Sequence, residues 1–198
     1  MNAIPLETMT VETFLAWAET IPPEAGRFEL WDGEVIEKRG AAGSINSERS
    51  QHWETKAAIY DALRDALKTA GLPGRIAMDG PTVRFSAKSA VEPDVLVYFG
   101  ARVKRGSLEV PNPAIVVEVL SPSTARRDLS EKLEGYFRLP SVAHYLVIDP
   151  DKPMLIHHQR GQDGAILTRI VTGKTLRLEG LPGDSALDVD LTEVLAPV

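Results

Sequence analysis

Seven consecutive residues, Ala114-Ile115-Val116-Val117-Glu118-Val119-Leu120, constrain the fold of this chain more than any other stretch. All but Glu118 are apolar and four are β-branched, the composition of a strand covered on both faces. A carboxylate inside such a strand costs several kcal/mol unless it is paired, hydrogen-bonded or bound to a cation. Side chains alternate along a strand, so Val116, Glu118 and Leu120 share one face while Ile115, Val117 and Val119 share the other. Ser121-Pro122-Ser123-Thr124 breaks the strand just beyond. Glu118 therefore needs a partner, and Asp94 and Lys132 are the natural candidates.

Asp94 lies near the start of a second apolar run, Val91 to Phe99, directly after Pro93. Proline cannot donate to a strand ladder and marks a strand start or an edge, where an acid can reach a cleft. Two carboxylates on adjacent strands, with a main-chain carbonyl and waters, make an oxygen-rich site for Mg²⁺ or Mn²⁺. The plainer readings are a Glu118 bonded to an arginine or to backbone N–H groups, and a Pro-Asp turn at Asp94. Glu92 could share the face of Asp94 and reads as a rim acid. Asp128 to Leu139 reads as a helix with capping-box spacing at Asp128 and Glu131, and with Leu129, Leu133, Tyr136 and Phe137 on its buried side. Asp128, Lys132 and Tyr136 fall at four-residue intervals on one stripe of it. Lys132 is then either half of an exposed pair with Asp128, or a cation that steadies an attacking water and the charge growing on a phosphate. Arg126 and Arg127 are phosphate contacts or a solvated turn.

The rest of the chain supplies a frame. Thr10 caps a helix over Val11 to Glu19, which Pro22-Pro23 stops. Asp32-Gly33 provides the positive φ angles of a tight hairpin between Arg27–Trp31 and Glu34–Glu37. Glu29 lies within the first of these strands, with Phe28 and Leu30 on the opposite face, the usual place of a surface acid. A long helix is expected from Ser47 to Ala70, with Trp53, Ala57, Tyr60, Leu63, Leu67 and Ala70 at helical spacing and His52 in its first turns. Short strands at Gly74–Met78 and Thr82–Phe85 flank an Asp79-Gly80 turn. Ala143 to Asp149 is another buried strand, and alternation through Met154–His158, Ala165–Val171 and Lys174–Leu178 predicts antiparallel strands before a short last segment, Leu181 to Leu195. His157 and His158 read as structural. The 198 residues, 43% hydrophobic and 25% charged, fit one domain of mixed α/β class with helices flanking its sheet.

Composition excludes several chemistries. No cysteine is present, so thiolate nucleophiles, disulfides and thiolate zinc sites are impossible. Gly-rich phosphate loops, a serine nucleophile elbow and a His-Glu-x-x-His helix are missing as well. The formal charge of −6 argues against a non-specific nucleic-acid coat while leaving room for a local basic site. No run approaches the roughly 18 apolar residues of a membrane span, and the N-terminus lacks a signal peptide, so a soluble cytoplasmic protein with no membrane partner is expected.

Several blocks occur in an order that resembles the Uma-two family of restriction-endonuclease-like proteins, within the PD-(D/E)XK nuclease superfamily. They are Phe28-Glu29-Leu30-Trp31-Asp32-Gly33-Glu34-Val35, then His52 opening a helix, then Glu92-Pro93-Asp94-Val95. Val117 to Thr124, Asp128-x-x-x-Lys132-x-x-x-Tyr136 and Tyr145-Leu146-Val147-Ile148-Asp149-Pro150 follow. The resemblance runs from about Thr10 to Leu195 and implies a restriction-endonuclease-like fold and a magnesium-dependent phosphodiesterase. It implies Asp94 and Glu118 as metal ligands with the Val119 carbonyl as a third, and Glu29 and His52 as further members of the acidic site. In the superfamily pattern a lysine follows the second acid by two residues. Leu120 stands there in this chain, and the resemblance moves the lysine to Lys132 on the next helix. The acidic-aromatic pair usual before Tyr145 is replaced by Ala143-His144, and the loop between Glu37 and His52 is long.

The expected function is thus Mg²⁺- or Mn²⁺-dependent cleavage of nucleic acid, DNA ahead of RNA, with a homodimer suited to double-strand cleavage. The rivals are a nuclease-fold module that binds nucleic acid or protein without cutting, and a purely structural network in which Glu118 and Lys132 form a buried ion pair.

Overall fold

The structure, a computed structural model, describes residues 4–22, 25–38, 50–121 and 129–196. Helix α1 (Val11–Ala18) begins at Thr10, whose hydroxyl accepts the Thr13 N–H at 3.3 Å. Strands β1 (Arg27–Trp31) and β2 (Glu34–Lys38) pair antiparallel around Asp32 and Gly33, which both hold the positive φ of a two-residue turn. Helix α2 (Ser50–Thr69) follows, then β3 (Arg75–Met78), β4 (Val83–Ser86), β5 (Ser89–Val91), β6 (Val95–Tyr98) and β7 (Pro113–Val119). Helix α3 (Glu131–Phe137) leads to β8 (His144–Ile148), β9 (Leu155–Arg160), β10 (Ile166–Val171), β11 (Thr175–Leu181) and β12 (Ser185–Asp190). Asp128 and the arginines before it lie outside the described residues, as does the start expected for the long helix.

The described residues form three sheets. The largest has the order β10-β9-β8-β7-β6-β3, with β7 and β8 parallel and every other neighbour antiparallel. A smaller sheet runs β2-β1-β5-β4, and β11 pairs with β12 alone. This is the mixed α/β architecture expected. One local expectation fails: Asp79-Gly80 does not turn a β3–β4 hairpin, because β3 joins the large sheet at β6 while β4 joins β5 in the small one. β5 was not foreseen as a strand of its own, since Ser89-Ala90-Val91 merges with the apolar run that ends in β6.

The central strand β7 is buried along its length. Its alternation sorts two cores as expected. Ile115, Val117 and Val119 pack with Ile59 and Leu63 of α2 and with Leu178, Leu187 and Val189 of the β11–β12 hairpin. Val116, on the other face, joins Phe85, Tyr136, Phe137 and Tyr145. The buried stripe of α2 departs from the expected one mainly in its first half: Trp53 is half exposed and His52, Lys56 and Ile59 face inward, whereas Leu63 and Leu67 are buried as expected, with Ala66 beside them. Leu129, expected on the buried side of the next helix, precedes α3 and is exposed, while Lys132 and Tyr136 of α3 are buried. Among the described residues no helix is long and apolar enough to cross a membrane.

Candidate active site

Glu92-Pro93-Asp94 is the link between β5 of the small sheet and β6 of the large one, and the candidate site is assembled at this junction. Val95 pairs with Val117, so extending the antiparallel register by one residue sets Asp94 opposite Glu118. Pro93 offers no N–H, which ends the pairing of the small sheet and frees the chain to cross to the other. The Asp94 carboxylate then substitutes for main chain at the end of β7: its Oδ2 accepts the Val119 N–H at 2.8 Å. His52, reaching across from α2, donates from Nε2 to the Val119 carbonyl at 2.9 Å and passes 3.9 Å from Asp94 Oδ2.

Glu118 projects to the face where α3 packs. Lys132 and Tyr136, one helical turn apart, converge on a single oxygen of it: Lys132 Nζ donates to Oε1 at 2.9 Å and Tyr136 OH at 2.7 Å. The same ammonium donates to Glu29 Oε1 at 3.0 Å, and that oxygen also accepts the Glu92 N–H at 3.1 Å. Asp94, Glu118 and Lys132 are each only 1% exposed. The reading of Glu29 as a surface acid is overturned. It is 4% exposed, because Lys132 of α3 and the Glu92 N–H, not solvent, meet its carboxylate. Lys132 is not half of an exposed pair either. The structure thus brings together all of the candidate residues Asp94, Glu118, Lys132, Glu29, His52 and Val119.

Among the described residues Lys38, Lys56, Arg27 and Asp79 also belong to this cluster and were not singled out from the sequence as site residues. Lys38, the last residue of β2, donates to the Glu92 carbonyl at 2.7 Å and to Asp94 Oδ1 at 3.3 Å. Lys56, one helical turn beyond His52, donates to both oxygens of Asp79 at 3.1 Å. Arg27 spans Asp79 and Glu92, at 2.8 Å to each. Glu92 is accordingly the rim acid expected, held by a salt bridge. The four-residue step from His52 was the available signal for Lys56; nothing in the pattern of β2 marked Lys38.

Electrostatics follow from this packing. Burial pushes the Asp94 carboxyl up, but Lys38, then His52 and Lys56, and the Val119 N–H outweigh it and hold it at about 2. Burial likewise opposes ionisation of Glu29, and Lys132 and Lys38 keep it below the ordinary carboxylate range. Burial lowers the Lys38 ammonium while Asp94 and Glu118 raise it further, with a net upward shift. Burial and then Glu118 drive the Tyr136 phenol well above its usual value, so it stays a donor.

The donors suit a hard divalent cation: two carboxylates and a main-chain carbonyl, all oxygen. The Val119 carbonyl keeps a second lone pair beyond the one His52 uses. Two ammonium groups already sit against these acids, evidence that the position attracts cations. Among the described residues no three His, Asp or Glu side chains converge as a preformed metal cluster. An ion would therefore draw on water or substrate oxygens to complete its shell.

Comparison with known families matches the chain over residues 11–190 to the Uma2 model, whose description is "Putative restriction endonuclease". The chain belongs to the Uma2 family. The membership agrees with the resemblance read from the sequence and with the PD-(D/E)XK superfamily, and the mixed sheet with its flanking helices is a restriction-endonuclease-like fold. No curated protein matches the chain. For a Uma2 protein, a nuclease-like activity is the family's coarse assignment.

Proposed function

We propose that this Uma2 protein hydrolyses phosphodiester bonds of nucleic acid, DNA in the first place, with the help of Mg²⁺ or Mn²⁺. The observation that carries the reading is the placement of Asp94 opposite Glu118 at the meeting point of two sheets, with cationic side chains packed against both. Asp94, Glu118 and the Val119 carbonyl would hold the ion. When bound, such an ion polarises a phosphoryl oxygen and lowers the pKa of a water. Asp94 remains ionised at any physiological pH and serves as a ligand, not a proton donor. The Val119 N–H fixes its orientation, and His52 fixes the carbonyl of the same residue. Lys132 keeps the Glu118 and Glu29 carboxylates in register and places positive charge where a phosphate would gather negative charge. Tyr136 secures Glu118 from the same helix. Hydrolysis transfers a water oxygen to phosphorus and releases one ester oxygen. Preorganised charges that need no rearrangement are the means by which such a site lowers the barrier.

Incubation of supercoiled and linear DNA, and of RNA, with the full chain and Mg²⁺ or Mn²⁺ tests this. Cleavage by the wild type should fall by at least about a hundredfold in Asp94→Ala and in Glu118→Ala, the scale on which lost transition-state contacts act. Normal cleavage by both variants would overturn the assignment. A second reading is favoured by the closure of the network, in which Lys132 already bridges Glu118 and Glu29 with almost no exposure. In that reading the fold binds nucleic acid or protein without cutting. Salt-sensitive DNA binding with no cleavage in either metal would support it.

A further inference from the structure

The inference concerns Lys38 and rests on the metal-site reading above. The two lysines of the acidic cluster are held in different ways. Lys132 lies between two carboxylate oxygens at 2.9 and 3.0 Å, carried by a helix packed on the core. Lys38 makes its short bond, 2.7 Å, to the Glu92 carbonyl, and only a longer one, 3.3 Å, to Asp94 Oδ1. The other oxygen of Asp94 is occupied by the Val119 N–H. Oδ1 is therefore the oxygen that Asp94 could offer to a metal ion, and the Lys38 ammonium rests against it.

Charge points the same way. Among the described residues Glu29, Asp94 and Glu118 face Lys38 and Lys132, three carboxylates against two ammonium groups, while Lys56 and Arg27 beside them are engaged by Asp79 and Glu92. A divalent ion added to these five groups would leave an excess of positive charge among them. Exchange of one ammonium for the ion leaves the three acids and the two remaining cations balanced. Like charges a few ångströms apart repel strongly where water is excluded, so ion and ammonium cannot both occupy Oδ1. The flexible four-carbon stem of lysine permits such a withdrawal without movement of the strand.

We propose that Lys38 is a displaceable counter-ion for Asp94, which holds the metal position in the ion-free protein and gives it up when a divalent cation binds. It tunes the site by competition: it keeps the acids from repelling one another without metal, and weakens metal affinity in doing so. The anchoring bond to Glu92 retains the released ammonium beside the site, where it adds positive charge toward a phosphate.

Calorimetric titration of Mn²⁺ alone into the full chain tests this, with wild type, Lys38→Met, Lys38→Gln, Lys38→Arg and Asp94→Asn compared. Both neutral variants should bind Mn²⁺ roughly tenfold or more tightly than wild type, since a competing charge has gone. Lys38→Arg, which keeps the charge, should not gain, and Asp94→Asn should lose binding. Thermal melting without metal establishes that each variant is folded, and the glutamine variant, which can still donate to Glu92, stands in should methionine prevent folding. Unchanged or weaker affinity in the folded neutral variants, with wild type binding normally, overturns the role of Lys38 alone. No binding by wild type or by either neutral variant overturns the metal reading and this inference with it.

Discussion

The Lys132 ammonium stands between two buried carboxylates, so its removal is a sharper perturbation than the loss of an ordinary salt bridge. Lys132→Met would leave Glu29 and Glu118 facing each other across an apolar side chain. Breaking a buried ion pair from one side costs about 3–5 kcal/mol, and urea unfolding should show a loss of that size. Adding Glu118→Leu to Lys132→Met should recover part of it, because an uncompensated charge goes with its partner. The core of this site was legible in the sequence for one reason: Glu118 is a charge in an otherwise apolar strand, and physical chemistry requires it to have partners. Asp94 was a candidate because it follows Pro93 near the start of a second apolar run. Spacing left Lys132 between an exposed pair and a site cation, and only the resemblance pointed to the cation. Lys38 carried no signal, because at the end of a short polar strand a lysine has the pattern of any surface residue. Glu29 was misjudged because a hairpin normally exposes one face. Contacts distant in sequence bury it, with Lys132 of α3, 103 positions away, and with the Glu92 N–H.

At the scale of elements, α3 shows a local rule yielding to packing. Gly135 lies inside a helix, where alanine would normally be favoured by about 1 kcal/mol. A Cβ at this position would overlap the ring of Phe85, which stacks edge-on against Tyr136 with centroids 4.8 Å apart. Gly135→Ala should therefore destabilise, by about 1–3 kcal/mol as overpacked cores do, and lower the thermal midpoint instead of raising it. Strands β8 and β9 carry a second local device. His144 Nε2 faces the Glu179 carbonyl at 2.7 Å and so carries the proton; its Nδ1 then accepts from His157 Nε2 at 2.9 Å. That order fixes both rings in neutral tautomers. Burial lowers His144 to about 4, aided by Arg169, and lowers His157 to about 3, aided by His144 and Arg169. Groups depressed in the folded state stabilise it fully above their unfolded value near 6.5 and cease to as pH falls toward the folded values. Both rings stay neutral in the fold while both protonate in the unfolded chain, so stability should drop by about 4 kcal/mol between about pH 7 and pH 5, a window in which Asp94 and Glu29 stay ionised. Urea midpoints across that range, with a shallower slope in His157→Leu, provide the check. The tail strands were readable from their alternation, but no sequence pattern announced that two histidines on neighbouring strands would share a proton.

For the whole molecule, the informative arrangement is the burial of α2 between the large sheet and the β11–β12 hairpin. Leu178, Leu187 and Val189 meet Ile59 and Leu63 in one continuous core with β7. The helix that carries His52 and Lys56 to the site is thus pressed into place by the end of the chain. Such pairings join distant segments and depend on how strands assemble, which periodicity alone does not reveal. The same limit explains why β3 and β4, neighbours in sequence, belong to different sheets. Two consequences separate stability from site geometry. Leu178 is fully buried, so Leu178→Ala should cost about 2–5 kcal/mol in urea unfolding, through lost contacts and the cavity left behind. The register of β6 with β7 does not involve it, so the folded variant should retain the Mn²⁺ isotherm of the wild type. Deletion of residues 174–198 removes the hairpin that covers one side of α2 and should abolish cooperative unfolding along with Mn²⁺ binding. A deletion variant that unfolds cooperatively and still binds Mn²⁺ would show that the two sheets and α2 hold the site without the tail.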